Sequence, residues 1–250
     1  MIRSALLVTM SVAITGFISF WCVIFSMIPN SENRIHKMAN LWAKILLLIS
    51  NTKVEVIGKE NILHGKPQIF MANHQSDFDI LIVLGHIPGQ FRWIAKKELF
   101  NIPVFGAAMK NAGYIEIDRH NREKAMQSLD EAALRIREGK SVMTFPEGTR
   151  SRDGEIKPFK QGTFHLAIKS GVPIIPVSIV GSGQIMPKRS LTVTPGRVKL
   201  VIGKPIDVKS YGIENRHELI EKVRKVIMNN YDHWREAGTA SIKDLEREPT

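Results

Sequence analysis

His74 and Asp79, a base and a carboxylate five residues apart, are the first candidates for proton transfer. They bracket the stretch Asn73-His74-Gln75-Ser76-Asp77-Phe78-Asp79. One helix through the whole stretch would put the two side chains on different faces, so they can meet only across a turn. Asp77 or Ser76 is suited to N-cap a helix running through Asp79-Ile80-Leu81-Ile82-Val83-Leu84. His74 then lies in the loop, and Asp79, in the first helical turn, reaches back to it. A carboxylate so placed holds the imidazole tautomer while the other ring nitrogen faces a substrate as a general base. The spacing alone is equally compatible with a hydrogen-bonded structural histidine.

The loop needs a rigid support on either side. Before it, Gln68-Ile69-Phe70-Met71-Ala72 is a short apolar run bounded by Pro67 and Asn73, the pattern of a buried strand. From Lys53 onward short β-rich runs alternate with helical ones, which predicts an α/β fold: a mostly parallel, mixed sheet flanked by helices on both faces. The expected strands are Val54–Ile57 at an edge, Ile69–Ala72, Phe91–Ala95, Tyr114–Ile117, Ser141–Phe145, Pro173–Val180 and Arg197–Ile202. Helices are expected after Asp79 and over Pro103–Asn111, Asn121–Glu138 (closed by Gly139), Thr163–Lys169 and Glu214–Glu236. After Gly238 the chain reads as a polar tail. The organisation is an N-terminal anchor with an interfacial helix (1–50), a catalytic domain (51–238) and the tail (239–250).

No charged residue lies between Arg3 and Glu32. Ala5–Ile28 is apolar enough, and at about 36 Å as a helix long enough, for a hydrocarbon core of about 30 Å. It is longer than a signal-peptide core, and no small-x-small cleavage pattern follows, so it reads as an uncleaved anchor. In Arg34–Ile49, Lys37, Asn40 and Lys44 form a narrow polar stripe against Met38, Leu41, Trp42, Ile45, Leu48 and Ile49. That helix lies in the membrane interface or packs on the catalytic domain, and the two are compatible. The pair forms a helical membrane hairpin, either crossing the bilayer or re-entrant. Arg34, Lys37, Lys44 and Lys53 outweigh Arg3, which places the catalytic domain on the cytoplasmic face.

At 250 residues and a formal charge of +11, with an isoelectric point near 9.8, the chain calls for an acidic partner such as anionic membrane lipid or a phosphorylated substrate. Basic and acidic residues interleave throughout, and no helix-turn-helix, zinc or stacking motif accompanies them, which argues against nucleic acid. The one cysteine, Cys22, has no partner within the chain. No cluster of His, Asp and Glu has metal-ligand spacing, so neither metal nor cofactor is expected.

Three further blocks follow the histidine motif: Gly113-Tyr114-Ile115-Glu116-Ile117-Asp118-Arg119, Phe145-Pro146-Glu147-Gly148-Thr149-Arg150 and Val172-Pro173-Ile174-Ile175-Pro176-Val177. Together the four ordered blocks resemble those of the glycerolipid acyltransferases, most closely the bacterial 1-acyl-sn-glycerol-3-phosphate acyltransferases, from about Val54 to about Lys204. The resemblance implies transfer of an acyl chain from an acyl thioester, acyl-CoA or acyl-acyl carrier protein, to the sn-2 hydroxyl of lysophosphatidate. No GxSxG elbow is present, so direct transfer with His74 as base and Asp79 as its partner is the economical mechanism. By the same resemblance Lys96, in Ala95-Lys96-Lys97-Glu98-Leu99, helps to form the oxyanion site. Arg119 and Arg150 are the candidates for the substrate phosphate because a guanidinium fork matches its oxygens. Gly148 and Thr149 complete that loop, Gly148 letting backbone N–H groups approach. Glu147, which phosphate would repel, is expected to orient Arg150, to bind a glycerol hydroxyl, or to form a structural ion pair. Val172–Val177 reads as a core strand, and then as a wall of the acyl pocket.

Overall fold

The computed structural model describes residues 2–245. In chain order the elements are α1 (Ile2–Phe25), α2 (Glu32–Ile49), β1 (Thr52–Ile57), β2 (Ile69–Ala72), α3 (Phe78–His86), β3 (Phe91–Lys96), α4 (Lys97–Phe100), α5 (Phe105–Asn111) and β4 (Ile115–Ile117). They continue with α6 (Arg122–Arg137), β5 (Ser141–Thr144), α7 (Gln161–Ser170), β6 (Ile174–Val180), α8 (Ser182–Ile185), β7 (Gly196–Ile202) and α9 (Arg216–Leu245). The strands form one sheet in the order β1-β7-β6-β2-β5-β3-β4. Parallel pairing joins β6, β2, β5, β3 and β4. Only β7, antiparallel to β6, and β1, parallel to β7, run the other way. The mixed, mostly parallel sheet expected from the alternation is present, with β1 at an edge.

Period-two alternation sorts the strands between two cores. From β2, Phe70 and Ala72 face one way, with Phe91, Trp93, Met143, Ile175 and Val177, against α2 and α3. Ile69 and Met71 face the other way, with Ile94, Val142 and Ile174, against α6, α7 and α9. Buried on both faces, β2 is an uninterrupted apolar run, as parallel central strands are. Helix α6 starts where Asn121 Oδ1 accepts from Lys124 N at 3.0 Å and stops at Gly139, whose φ of +90° suits glycine.

α1 is long and apolar enough to cross a membrane. It folds back antiparallel on α2, with Arg3 Nη2 donating to Ser50 O at 3.3 Å, Trp42 Nε1 to Thr15 Oγ1 at 2.9 Å, and Cys22 beside Met38. Cys22 is buried with Ile35, Ala108 and Ala112, so the hairpin shares packing with the catalytic domain. In α2 the buried face is Ile35, His36, Ala43, Leu46 and Leu47. Leu41 (57% exposed) and Leu48 (79% exposed) point outward on the side of Lys37 and Lys44. Asn40, placed by sequence in the polar stripe, instead donates to Leu84 O at 2.5 Å and ties α2 to α3. The tail expected from Gly238 is helical as far as Leu245, because one glycine costs a helix only about 1 kcal/mol. Residues 246–250 lie outside the described residues.

Candidate active site

The parallel strands deliver three of the four sequence blocks and Lys96 to one edge, while Val172–Val177 leads into and forms the first half of β6. His74 follows β2, Phe145–Arg150 follows β5, Lys96 ends β3, and Asp118 and Arg119 follow β4. All four strand ends are carboxyl ends, where open α/β sheets bind ligands. Asn73 prolongs the β2–β6 ladder with its side chain: Oδ1 accepts from Ile179 N at 2.7 Å and Nδ2 donates to Ile179 O at 2.9 Å.

His74 Nδ1 lies 2.8 Å from Asp79 Oδ2. The same oxygen accepts from Gln75 N at 2.7 Å and Ser76 N at 2.9 Å. A fully buried carboxylate that gathers three N–H groups fixes both the loop and the tautomer. Nδ1 carries the proton, and Nε2 is left as acceptor. The His74 side chain keeps 14% exposure, and its ring stacks on Phe145 with centroids 3.9 Å apart and planes 7° apart. Asp77 occupies the N-cap of α3 without a side-chain cap bond, whereas Ser76 Oγ accepts from Phe78 N at 3.2 Å. Ser76 Oγ also donates to Met186 O at 2.7 Å. Gln75 Nε2 donates to Gly154 O at 2.8 Å and to Tyr231 Oη of α9 at 2.9 Å.

Glu147 requires a correction. It is not the partner of Arg150, whose guanidinium holds Asp77 instead. Only 3% exposed, it accepts from His74 N at 2.7 Å through Oε1 and from Lys157 N at 2.9 Å through Oε2. Glu147 therefore positions the histidine from beneath. Burial pushes its carboxyl up from 4.5 to about 7, against the two N–H bonds that favour the ionised form. Between those values the folded chain holds a proton that the unfolded chain has released. The stabilisation is complete below about pH 4.5 and is lost as pH rises through about 7, on the order of 3 kcal/mol. We expect wild type to lose stability relative to Glu147→Gln between pH 5 and 8, measured by urea midpoints. Parallel curves would mean that Glu147 titrates like an exposed carboxyl.

The cations ring this loop. Arg119 donates through Nη1 to the Gly148 carbonyl, which places its guanidinium on the loop. Arg150 is ion-paired with Asp77, a contact the sequence reading did not anticipate. Thr149 Oγ1 accepts from Lys188 Nζ at 3.3 Å, and Lys188 also donates to Arg150 O. Gly148 has φ +70°, a left-handed backbone that favours glycine, while the Lys160 side chain that a Cβ would meet there can swing aside. Lys96 is exposed at the end of β3, on the correct edge but two strands from β2. Lys188, Gln75 and Tyr231 escaped sequence reading because no local pattern distinguishes them. Among the described residues no group of three or more His, Cys, Asp or Glu side chains could hold a metal ion.

A family model described as Acyltransferase matches residues 53–180, the span that carries the His74–Asp79 pair and the Glu147–Arg150 loop. The chain belongs to the acyltransferase family. It is 32% identical over 226 residues to the 1-acyl-sn-glycerol-3-phosphate acyltransferase of Escherichia coli, covering 90% of each. It is 38% identical over 173 residues to a chloroplastic 1-acyl-sn-glycerol-3-phosphate acyltransferase of Brassica napus, covering 68% of this chain and 50% of the relative. The chain thus spans about half the length of the chloroplastic relatives from Brassica napus and Arabidopsis thaliana. Among acyltransferases of known structure, the 1-acyl-sn-glycerophosphate (LPA) acyltransferase PlsC of Thermotoga maritima superposes with a TM-score of 0.79 at 28% identity, covering 100% of this chain and 97% of that one.

Proposed function

We propose that this acyltransferase moves an acyl chain from an acyl thioester, on coenzyme A or on acyl carrier protein, to the sn-2 hydroxyl of lysophosphatidate, giving phosphatidate and free thiol. The observation that carries the reading is the 2.8 Å His74–Asp79 bond, with His74 O accepting at 2.8 Å from the N–H of Ser151, the residue that follows Arg150. His74 Nε2 takes the hydroxyl proton as that oxygen attacks the thioester carbonyl. Asp79 steadies the imidazolium. The tetrahedral intermediate collapses, the C–S bond breaks, and the proton returns from Nε2 to the departing sulfur. Lys96 is assigned to the oxyanion by family resemblance, and the phosphate goes to Arg150 with Arg119 at the loop's far side. The thioester supplies the driving force, so alignment and charge stabilisation suffice. Purified full-length chain in mixed micelles, given lysophosphatidate and each thioester in turn, should release thiol and form phosphatidate by mass spectrometry. Thiol release without phosphatidate, or neither, would overturn this reading.

The same reading puts the enzyme at a membrane, catalytic domain on the cytoplasmic face. Phe17, Phe20, Trp21 and Ile24 stand exposed on α1, and Arg34, Lys37 and Lys44 are exposed on α2, an arrangement suited to anionic lipid. Phe20→Ser should weaken sedimentation with anionic vesicles about tenfold, since a buried phenylalanine is worth at least about 1.5 kcal/mol. The remaining binding should fall with salt. Unchanged sedimentation would remove this face of α1 from the bilayer.

A further inference from the structure

Arg150 is held very differently at its two ends. Its backbone is bolted down, by Ser151 N donating to His74 O at 2.8 Å and by Lys188 Nζ donating to the Arg150 carbonyl. Its guanidinium is held by the single carboxylate of Asp77. Asp77 sits at the N-cap of α3, where an aspartate ordinarily accepts from its own helix, yet it makes no cap bond. The carboxylate is spent on Arg150 instead. Both partners are open to solvent, Asp77 at 53% and Arg150 at 27% exposure, and an exposed pair of this kind exchanges readily for a stronger anion.

A carboxylate offers a guanidinium the same two-oxygen face that a phosphate does. We infer that Asp77 is an internal surrogate for the headgroup phosphate: it holds Arg150 in the empty site, yields it to the acceptor, and takes it back as the product leaves. This inference rests on Arg150 being the phosphate's partner in the reaction proposed above. Acylation at sn-2 leaves the phosphate untouched, so acceptor and product present the same group to Arg150. A tight clamp would therefore retain product as firmly as it captures acceptor. A tethered carboxylate competes at high effective concentration and weakens the clamp equally for both. Because the backbone of Arg150 is fixed, the exchange needs only side-chain rotation.

Asp77→Asn keeps the shape and removes the charge. Loss of the pair, together with loss of repulsion between carboxylate and phosphate, should tighten phosphate binding by about 5- to 10-fold. Calorimetric titration of the full-length chain in detergent with glycerol 3-phosphate reads this without turnover. In steady state, the KM for lysophosphatidate and the inhibition constant of phosphatidate should fall by the same factor. Asp77→Ser, also a good N-cap, repeats the test should asparagine disturb α3. Variants that bind glycerol 3-phosphate as weakly as wild type, or more weakly, would make Asp77 a mere prop for Arg150 and overturn the inference, as would wild type and variants that all ignore this ligand. Tighter phosphate binding in a chain that forms no phosphatidate would sustain the exchange and sink the proposed reaction instead.

Discussion

His74→Ala leaves a folded protein whose acyl transfer to lysophosphatidate is reduced by at least ~10²-fold, the low end of what a positioned general base contributes. The fold survives because the imidazole is not what closes the core. Its ring lies at the mouth, stacked on Phe145, while the loop around it is held by backbone bonds from Gln75 and Ser76 to Asp79 and from His74 N to Glu147. None of these needs the side chain of residue 74. Asp79→Asn is less severe, because an amide oxygen still accepts from the loop while the charge beside the imidazolium is withdrawn. Circular dichroism and turnover on the same preparation check both variants. Near-normal turnover in a folded His74→Ala chain would sink the mechanism.

Arg150→Lys should lower kcat/KM for lysophosphatidate by roughly 10- to 150-fold, since a charge-assisted bond is worth about 1.5–3 kcal/mol and lysine has the charge without the fork. The loss belongs to the acceptor. The mutant should give up much of its preference for lysophosphatidate over uncharged monoacylglycerol, with little change in KM for the acyl donor. Lys188 Nζ on the Arg150 carbonyl and Ser151 N on His74 O fix the backbone of this loop, so the substitution leaves its path intact. Kinetics on both acceptors at several donor concentrations separate the outcomes. A mutant that keeps its acceptor preference and binds donor poorly would move Arg150 to the donor's phosphates.

Features encoded over a few neighbouring residues are legible in the chain without its fold. Ile69–Ala72 reads as a buried strand from its apolar run and matches β2 to the residue. The reach of Asp79 back to His74 follows from a strand, a turn and a helix start in immediate succession, and the structure has it at 2.8 Å. Contacts between segments far apart in the chain are visible only once it is folded. Glu147 and Arg150 each meet a partner 73 residues away, His74 N and the Asp77 carboxylate, and Gln75 meets Tyr231 across 156. Those meetings depend on β5 lying beside β2 in parallel register, Phe70 opposite Met143, which brings the loops after both strands to the same edge. Periodicity and turn chemistry specify which strands form, but strand order comes from burying both faces of the sheet at once. So a glutamate whose sequence neighbours suggest Arg150 as its partner instead props the histidine loop, and the arginine holds the carboxylate of Asp77.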